Sequence, residues 1–472
     1  LGIIDLEDLK ERIFTKKNHD IGRVVDVLPF QSTKRTTNLN TEFHKISGDY
    51  VRHITEIRVD EMAISSDIRE NKSNINILSE YIASEIDFED DEARHDFGKF
   101  IDEYLFNQKR LNTIHPYLFN FVATEEKIST EAGKYARFLQ DVLLQKDQEI
   151  KNFFINKETD DILTELIITN LDILMQKKTD YSFPKERYQP FLPSISQLYK
   201  EDLRFLSKHK EYFIQTFPQL THYYTFLYAC QLLWNFEQFE DGDMDRIQPF
   251  YYAFEWESIT KRRKVADPLR GYKFIQGRAK NLFPHIHTLS QLSHNKWNDN
   301  YFEEEPLPVM SYHKLYKKAT EKGEDYSLEL LNDMNDLIAE YTKWRGIRTP
   351  EKAGTLEKAF KAYFECVKEG TSSEVASKYG KSIEDLAASV FLKSRGGIGY
   401  VLNLKHDFTL LLVAVSVKEE RIPLNQLYKE LEKRGIALDY YSRQELVKLL
   451  DSHNILDKKS DSGDSQYVKP IL

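Results

Sequence analysis

Apolar residues recur at helical spacing along most of this chain. Phe97, Phe100, Ile101, Tyr104 and Leu105 form the first clear stripe, behind the acidic run Glu89-Asp90-Asp91-Glu92, which suits the positive end of a helix. Tyr135, Phe138, Leu139, Val142 and Leu143 repeat the pattern, and so do Tyr223, Phe226, Leu227, Cys230, Leu233 and Trp234. Leu356, Ala359, Phe360, Tyr363, Phe364 and Val367 trace another apolar face. Ser382 with Asp385 has the form of a capping box ahead of Ile383, Leu386, Ala387, Val390 and Phe391. Two kinds of stretch differ. Val24 to Phe30 and Tyr50 to Val59 are rich in β-branched and aromatic residues and predict a few short strands. From Phe250 to Pro306, basic residues, aromatics, Pro and Gly mix without a period, which predicts long ordered loops or a small inserted substructure.

The C-terminal region carries the sharpest pattern. Asp407 can cap a buried helix from Phe408 to Val417, although that run also suits a strand. Arg421 to Leu424 reads as short and extended around Pro423. Leu424, Leu427, Tyr428 and Leu431 then follow helical spacing, and Gly435 stands where a helix C-terminal glycine belongs. Ser442-Arg443-Gln444-Glu445 reads as a capping box for a helix whose inner face is Leu446, Leu449 and Leu450. Ile455-Leu456 and Tyr467-Val468 flank the hairpin turn Asp461-Ser462-Gly463-Asp464. Helix, strand, helix, turn, helix and hairpin is the order of a winged helix-turn-helix, a module that often sets its last helix in a DNA major groove. From residue 401 onward basic and acidic side chains balance, and the outward face of the last helix offers Arg443 and Lys448 but also Asp451. Protein docking therefore ranks ahead of DNA reading for this region.

The expected fold class is mainly α: a multi-helical body with a few short N-terminal strands and a C-terminal winged helix-turn-helix domain. The segments run 1–68 (mixed α/β), 69–249 (helical), 250–310 (basic, aromatic, loop-rich), 311–400 (helical) and 401–472 (winged helix). Composition agrees with a globular chain, at 41% hydrophobic, 30% charged and 13% aromatic. The net charge of −10 argues against coating nucleic acid or membrane with the whole surface, while leaving room for one basic patch. Cys230 and Cys366 lie far apart and form no C-x-x-C pair, so a reducing compartment is expected, with neither a disulfide framework nor a cysteine zinc site. No signal peptide opens the chain, and the absence of an initial Met points to processing or a cut end. The longest strongly apolar run, Leu410 to Val417, is too short for a bilayer. A cytoplasmic protein is the expectation.

One concentration of positive charge stands out against the acidic total. Lys261-Arg262-Arg263-Lys264 begins it, and Arg270, Lys273, Arg278 and Lys280 continue it with Asp267 as the only acid. Tyr272, Phe274 and Phe283 are interleaved, and Trp297 follows. Such cations would neutralise phosphates, and exposed aromatics would stack on unpaired bases. The blander reading ranks ahead: a basic loop docked on a partner or on the protein's own acidic surface, for example near Glu240-Asp241-Gly242-Asp243.

Other motifs fall short of chemistry. Gly380-Lys381-Ser382 resembles the end of a P-loop, but Val375 stands where the first glycine should be and the preceding residues read as helical. Arg395-Gly396-Gly397-Ile398-Gly399 reads as a tight turn into a strand, with an anion nest as the lesser option. His285, His287 and His294 lack a carboxylate or cysteine at ligand spacing, so no metal is expected there. Glu125-Glu126-Lys127 and Asp457-Lys458-Lys459 match the acid-x-Lys form of a metal-dependent nuclease without a convincing upstream Asp. The serine-hydrolase elbow, zincin helix and kinase set are absent, so no catalytic residue, cofactor or metal is assigned.

Two stretches of the tail, Phe391-Leu392-Lys393-Ser394-Arg395-Gly396-Gly397-Ile398-Gly399-Tyr400-Val401-Leu402-Asn403-Leu404 and Leu456-Asp457-Lys458-Lys459-Ser460-Asp461-Ser462-Gly463-Asp464-Ser465-Gln466-Tyr467-Val468-Lys469-Pro470-Ile471-Leu472, resemble the DptG family. These are bacterial DNA phosphorothioation-dependent restriction proteins. The resemblance is sharpest in the C-terminal region, and elsewhere rests on length and helical, aromatic-rich character. It implies one member of a three-protein module. A modification set replaces a non-bridging phosphate oxygen of host DNA with sulfur, and the restriction set, with DptF-like and DptH-like partners, attacks unmarked DNA. DptF and DptH resemble nucleotide-hydrolysing proteins, whereas DptG lacks such motifs, in accord with the missing P-loop here. The family supplies no catalytic residues to carry over. The expected function is a non-catalytic subunit contributing DNA contact and partner docking; the alternatives are a cryptic metal-dependent nuclease using Glu125 and Lys127, or a regulatory adaptor that never touches DNA.

Overall fold

The computed structural model describes residues 2–32, 43–60, 63–65, 68, 75–107, 110–123, 129–177, 188–303, 306–458 and 466–472. The protein is mainly helical, with small sheets. It forms two compact units. One comprises Glu42–Lys185 and Tyr199–Thr221; the other comprises Leu1–Thr41, Glu186–Leu198 and His222–Leu472. Among the described residues no helix is long and apolar enough to cross a membrane.

The smaller unit is built on amphipathic helices with side-chain caps. Asp90 accepts the Ala93 amide at 2.7 Å and starts the helix Asp91–Leu105, so the acidic run lies where the helix dipole favours it. Asp147 caps Gln148–Ile155 through the Ile150 amide at 3.1 Å and also receives Arg204 at 2.7 Å. Phe119, Phe154, Phe213, Phe217 and Tyr50 pack as a chain of edge-on and stacked rings. Tyr50 to Thr55, expected as strand, lies in the helix Ile46–Thr55. Its alternation is outweighed by burial of Ile46, Tyr50, Val51 and Ile54, which share one helical face. Only Ile57–Val59 is extended, paired antiparallel with Met175–Lys177.

In the larger unit, Val24 to Phe30 contributes isolated bridges, such as Val24 to Leu307, rather than a strand. The helices Glu324–Arg345 and Leu356–Gly370 pack by their apolar faces, the second through Leu356, Ala359, Phe360, Tyr363, Phe364 and Val367 as the spacing predicts. Ser372, not Ser382, caps the next helix, Ser373–Ala387, and Ser382 lies inside it. The glycine of the P-loop-like triplet has a packing reason: a Cβ on Gly380 would collide with the backbone at Ala279. The stretch expected to be loop-rich contains the helices Tyr272–Arg278 and Leu282–Leu292. In the second of these nearly every residue is buried, so it has no polar face and hence no period to read.

A four-stranded sheet gathers distant parts of the chain. Phe250–Phe254 is central, pairing parallel with Tyr400–Leu404 on one side and with Ile436–Leu438 on the other. Leu392–Ser394 adds an antiparallel edge strand, with Leu392 opposite Leu402. The hairpin between Leu392–Ser394 and Tyr400–Leu404 turns through Gly396 and Gly399, both at positive φ, as the glycine-rich run predicts. Strands buried on both faces read as near-continuous apolar runs, and the three parallel strands do so apart from Asn403.

The C-terminal elements follow in order: helix His406–Val417, strand Ile422–Pro423, helix Leu424–Lys433, strand Ile436–Leu438, helix Tyr440–Ser452, then strands Leu456–Lys458 and Gln466–Val468. The last two pair antiparallel, and Gln466–Val468 also pairs with Ile422–Pro423. The predicted turn Asp461 to Asp464 lies outside the described residues. Two caps differ from expectation. Lys405, not Asp407, precedes the first helix, and Asp439, not Ser442, caps Tyr440–Ser452 by accepting the Ser442 amide at 3.0 Å. The two tyrosines between Asp439 and Ser442 thereby form the first turn of the helix.

Gly435 has φ +78°, the left-handed geometry that ends the helix Leu424–Lys433 and redirects the chain into the sheet. A Cβ there would approach Leu227 Cδ1 to 2.5 Å. Gly435→Ala is expected to cost roughly 1–3 kcal/mol through backbone strain and overpacking. Denaturant titration checks this, and an unchanged midpoint would contradict it.

Candidate nucleic-acid interface

The polypeptide leaves the central strand at Phe254 and folds back on itself within a few residues. Burial pushes the Glu257 carboxyl above its ordinary range, against the opposing effect of the Phe254 amide, the Arg263 guanidinium and the Ser442 hydroxyl. Its Oε2 accepts the Phe254 amide at 2.8 Å and the Ser442 hydroxyl at 3.0 Å. Arg263 follows as a buried cation. It donates Nε and Nη2 to the two oxygens of Asp439 at 3.0 and 2.7 Å, Nη2 to the Ser442 hydroxyl at 2.9 Å, and Nη1 to the Ser258 carbonyl at 2.9 Å. Glu257 Oε1 lies 3.3 Å from Nη2. Paired this fully, both charges tolerate burial.

Asp439 therefore has two tasks. It is the helix cap, and it is the anchor for the basic segment. Burial alone would raise its carboxyl, but the Arg263 guanidinium and the Ser442 amide hold it below the ordinary value. The Arg263 guanidinium also lies 5.1 Å from the ring centre of Tyr441, which stands edge-on to Tyr440 at 5.6 Å. On the neighbouring surface Trp256 stacks on Phe254 at 5.0 Å and donates to Glu445 at 3.2 Å, tying the end of the strand to the same helix.

The outcome is an open concavity of about 650 Å³, lined by Thr260, Lys261, Arg262, Arg263, Lys264, Asp439, Tyr440 and Tyr441. Lys261, Arg262 and Lys264 are exposed and make no ion pair among the described residues. Tyr440 is 71% exposed and Tyr441 60%. Unpaired cations beside bare aromatic rings can neutralise phosphate and stack on flat groups.

The eight residues singled out in the sequence thus separate. Lys261, Arg262 and Lys264 line the concavity with solvent access. Arg263 is spent internally and is not free for a phosphate. Arg270, Lys273 and Lys280 are exposed but do not line the concavity. Arg278 pairs with Glu237 at 3.2 Å and covers the Phe274 ring. The interleaved aromatics also differ from expectation. Tyr272 and Phe274 are core residues, and Phe283 packs against His287 and Tyr379. Glu240 itself meets Lys361 and His313, while Arg278 of the basic segment pairs with the neighbouring Glu237.

Tyr440 and Tyr441 escaped the sequence reading, although a signal was present. Leu446, Leu449 and Leu450 fix the inner face of the helix, and positions 440 and 441 fall off that face at 100° per residue. On the rest of the outer surface of this helix the cations are neutralised: Arg443 pairs with Glu432 at 3.5 Å and Lys448 with Glu445 at 2.6 Å.

The histidines and Asp457 have structural partners. His285 is buried between Tyr312 and Glu237, and His294 is buried beside the Ser290 carbonyl and the Arg23 amide. Burial lowers the His287 imidazole to about 4. Asp457 pairs with Lys469 at 3.5 Å and Arg421 at 4.0 Å. Glu125 and Lys127 lie outside the described residues. Among the described residues no group of three or more His, Cys, Asp or Glu is placed to hold a metal ion. No protein-family model matches the chain, and no curated protein matches it.

Removing Arg263 strands two buried carboxylates, so Arg263→Ala is expected to destabilise the protein by roughly 3–5 kcal/mol. Arg263→Lys recovers only part of this, because an ammonium cannot make the bidentate contact. The Asp439 carboxyl is depressed from 3.8, so its stabilisation is present above that pH and is lost as pH falls through its folded value. The stability gap between parent and Arg263→Ala should accordingly narrow below about pH 4. Unfolding titrations across pH measure it; a gap that is small at neutral pH, or that widens in acid, would overturn the assignment.

Proposed function

We propose that this protein is a non-catalytic subunit of a bacterial DNA phosphorothioation-dependent restriction complex, as its resemblance to the DptG family implies. It touches DNA through the Lys261-Arg262-Lys264 concavity and docks partners, DptF-like and DptH-like proteins, through its C-terminal region. The observation that carries the DNA part is the meeting of three unpaired cations and two exposed tyrosine rings in one concavity. In a chain of net charge −10, a local cluster of cations without acidic partners supports contact with a polyanion.

We read the C-terminal region, 401–472, as a winged helix-turn-helix whose elements begin with the helix His406–Val417. The order of helices and strands supports this, as does a sheet in which Gln466–Val468 lies between Leu456–Lys458 and Ile422–Pro423. The helix Tyr440–Ser452 would be its recognition helix. The ion pairs of Arg443 and Lys448 favour protein docking over base reading along the rest of that helix. A pure adaptor that never touches DNA is the second reading, and the same ion pairs support it.

DNA binding should weaken steeply with salt. Changing Lys261, Arg262 and Lys264 together to Ala, with Arg263 left in place, should flatten the log–log salt slope by about 2–3. Fluorescence anisotropy over a salt series measures this. Absence of binding at low salt would leave the adaptor reading.

A further inference from the structure

We infer that the concavity accepts unpaired DNA nucleotides, with a base stacked on Tyr440 and its flanking phosphates held by Lys261, Arg262 and Lys264. This rests on the DNA-contact reading above and narrows it to a substrate form.

Three observations lead there. First, aromatic surface of this kind is expensive to leave in water, and here two adjacent rings are kept out of the core by the helix geometry itself. Tyr441 is held by Arg263 from beneath, whereas Tyr440 touches Tyr441 edge-on and otherwise faces solvent. A base in a duplex hides its faces between neighbours, so a ring can stack only on a base that has left the helix. Second, the free cations lie at the start of the helix Tyr440–Ser452 and not along it. A duplex seated on the length of that helix would meet cations that are already neutralised, Lys448 by Glu445 and Arg443 by Glu432. Charge thus favours a strand that enters the concavity over one that lies along the helix. Third, the concavity offers about 650 Å³ and is open to solvent, so a nucleotide can enter it from the surface.

The polarity within the site agrees with this order of contacts. Asp439, the one acid lining the concavity, is buried against Arg263, as is Glu257 behind it, so neither opposes an incoming phosphate from the surface. Arg263 acts as the positioning residue. It ties the turn that carries the cations to the helix start that carries the tyrosines.

Fluorescein-labelled oligodeoxythymidylate and the matching dT·dA duplex, titrated with the intact protein at low salt, test the proposal. The single strand is expected to bind more tightly. Tyr440→Ala should weaken it about five- to a hundredfold, as loss of one base-stacking contact does, while Tyr440→Phe binds as the parent. Because Tyr440 is 71% exposed, neither change should shift the unfolding midpoint, and that is measured alongside. Duplex binding equal to or tighter than single-strand binding, or a Tyr440→Ala protein that binds the single strand as the parent does, would overturn the unpaired-nucleotide inference and leave DNA contact standing. Binding to neither probe would overturn both.

Discussion

The buried pairing of Arg263 with Asp439 is the constraint on which the candidate surface depends. A charge taken out of water survives only if a partner of opposite sign and several hydrogen bonds replace the lost hydration. Arg263 finds these in Asp439, Ser442, the Ser258 carbonyl and Glu257. The arrangement joins a segment after the central strand to the cap of a helix some 180 positions later, since Asp439 serves both. With residue 263 turned inward, its neighbours Arg262 and Lys264 are left outward on the same short loop. The concavity is a consequence of that alternation together with the tyrosine doublet of the first helical turn.

The sheet gives the pairing its rigidity. Phe250–Phe254 lies between two parallel neighbours, one from the hairpin at Tyr400–Leu404 and one, Ile436–Leu438, from the C-terminal elements. The residues that follow each strand are thereby brought to the same edge of the sheet: Glu257 after the first, His406 after the second and Asp439 after the third. Trp256, stacked on Phe254 and bonded to Glu445, closes this edge against the helix Tyr440–Ser452. A turn tied to a helix cap through a buried ion pair is held more tightly than a free loop.

How far the sequence disclosed this depends on whether an element keeps one face in water. Leu356–Gly370 and Leu424–Lys433 do, and their periodicity revealed them. Leu282–Leu292 is buried all round and left no period, so it was hidden in an apparent loop region. Ser382 and Ser442 do not cap, because a small polar residue followed by an acid also fits within a helix, and Ser372 and Asp439 capture the helix ends first. Within the site, charge was legible and burial was not. Arg263 and Lys264 are adjacent and alike in sequence, yet one meets Asp439 and the other meets water. Only the tertiary contact with position 439 distinguishes them, and no local pattern contains it.

Hydrogen exchange with and without a single-stranded oligodeoxynucleotide tests most directly whether the basic loop and the helix start act as one surface. The account predicts that peptides covering 257–264 and 439–445 slow together, at the same oligonucleotide concentration. Slowing in one of them alone, or slowing in the Leu356–Gly370 helix while both stay unchanged, would contradict it.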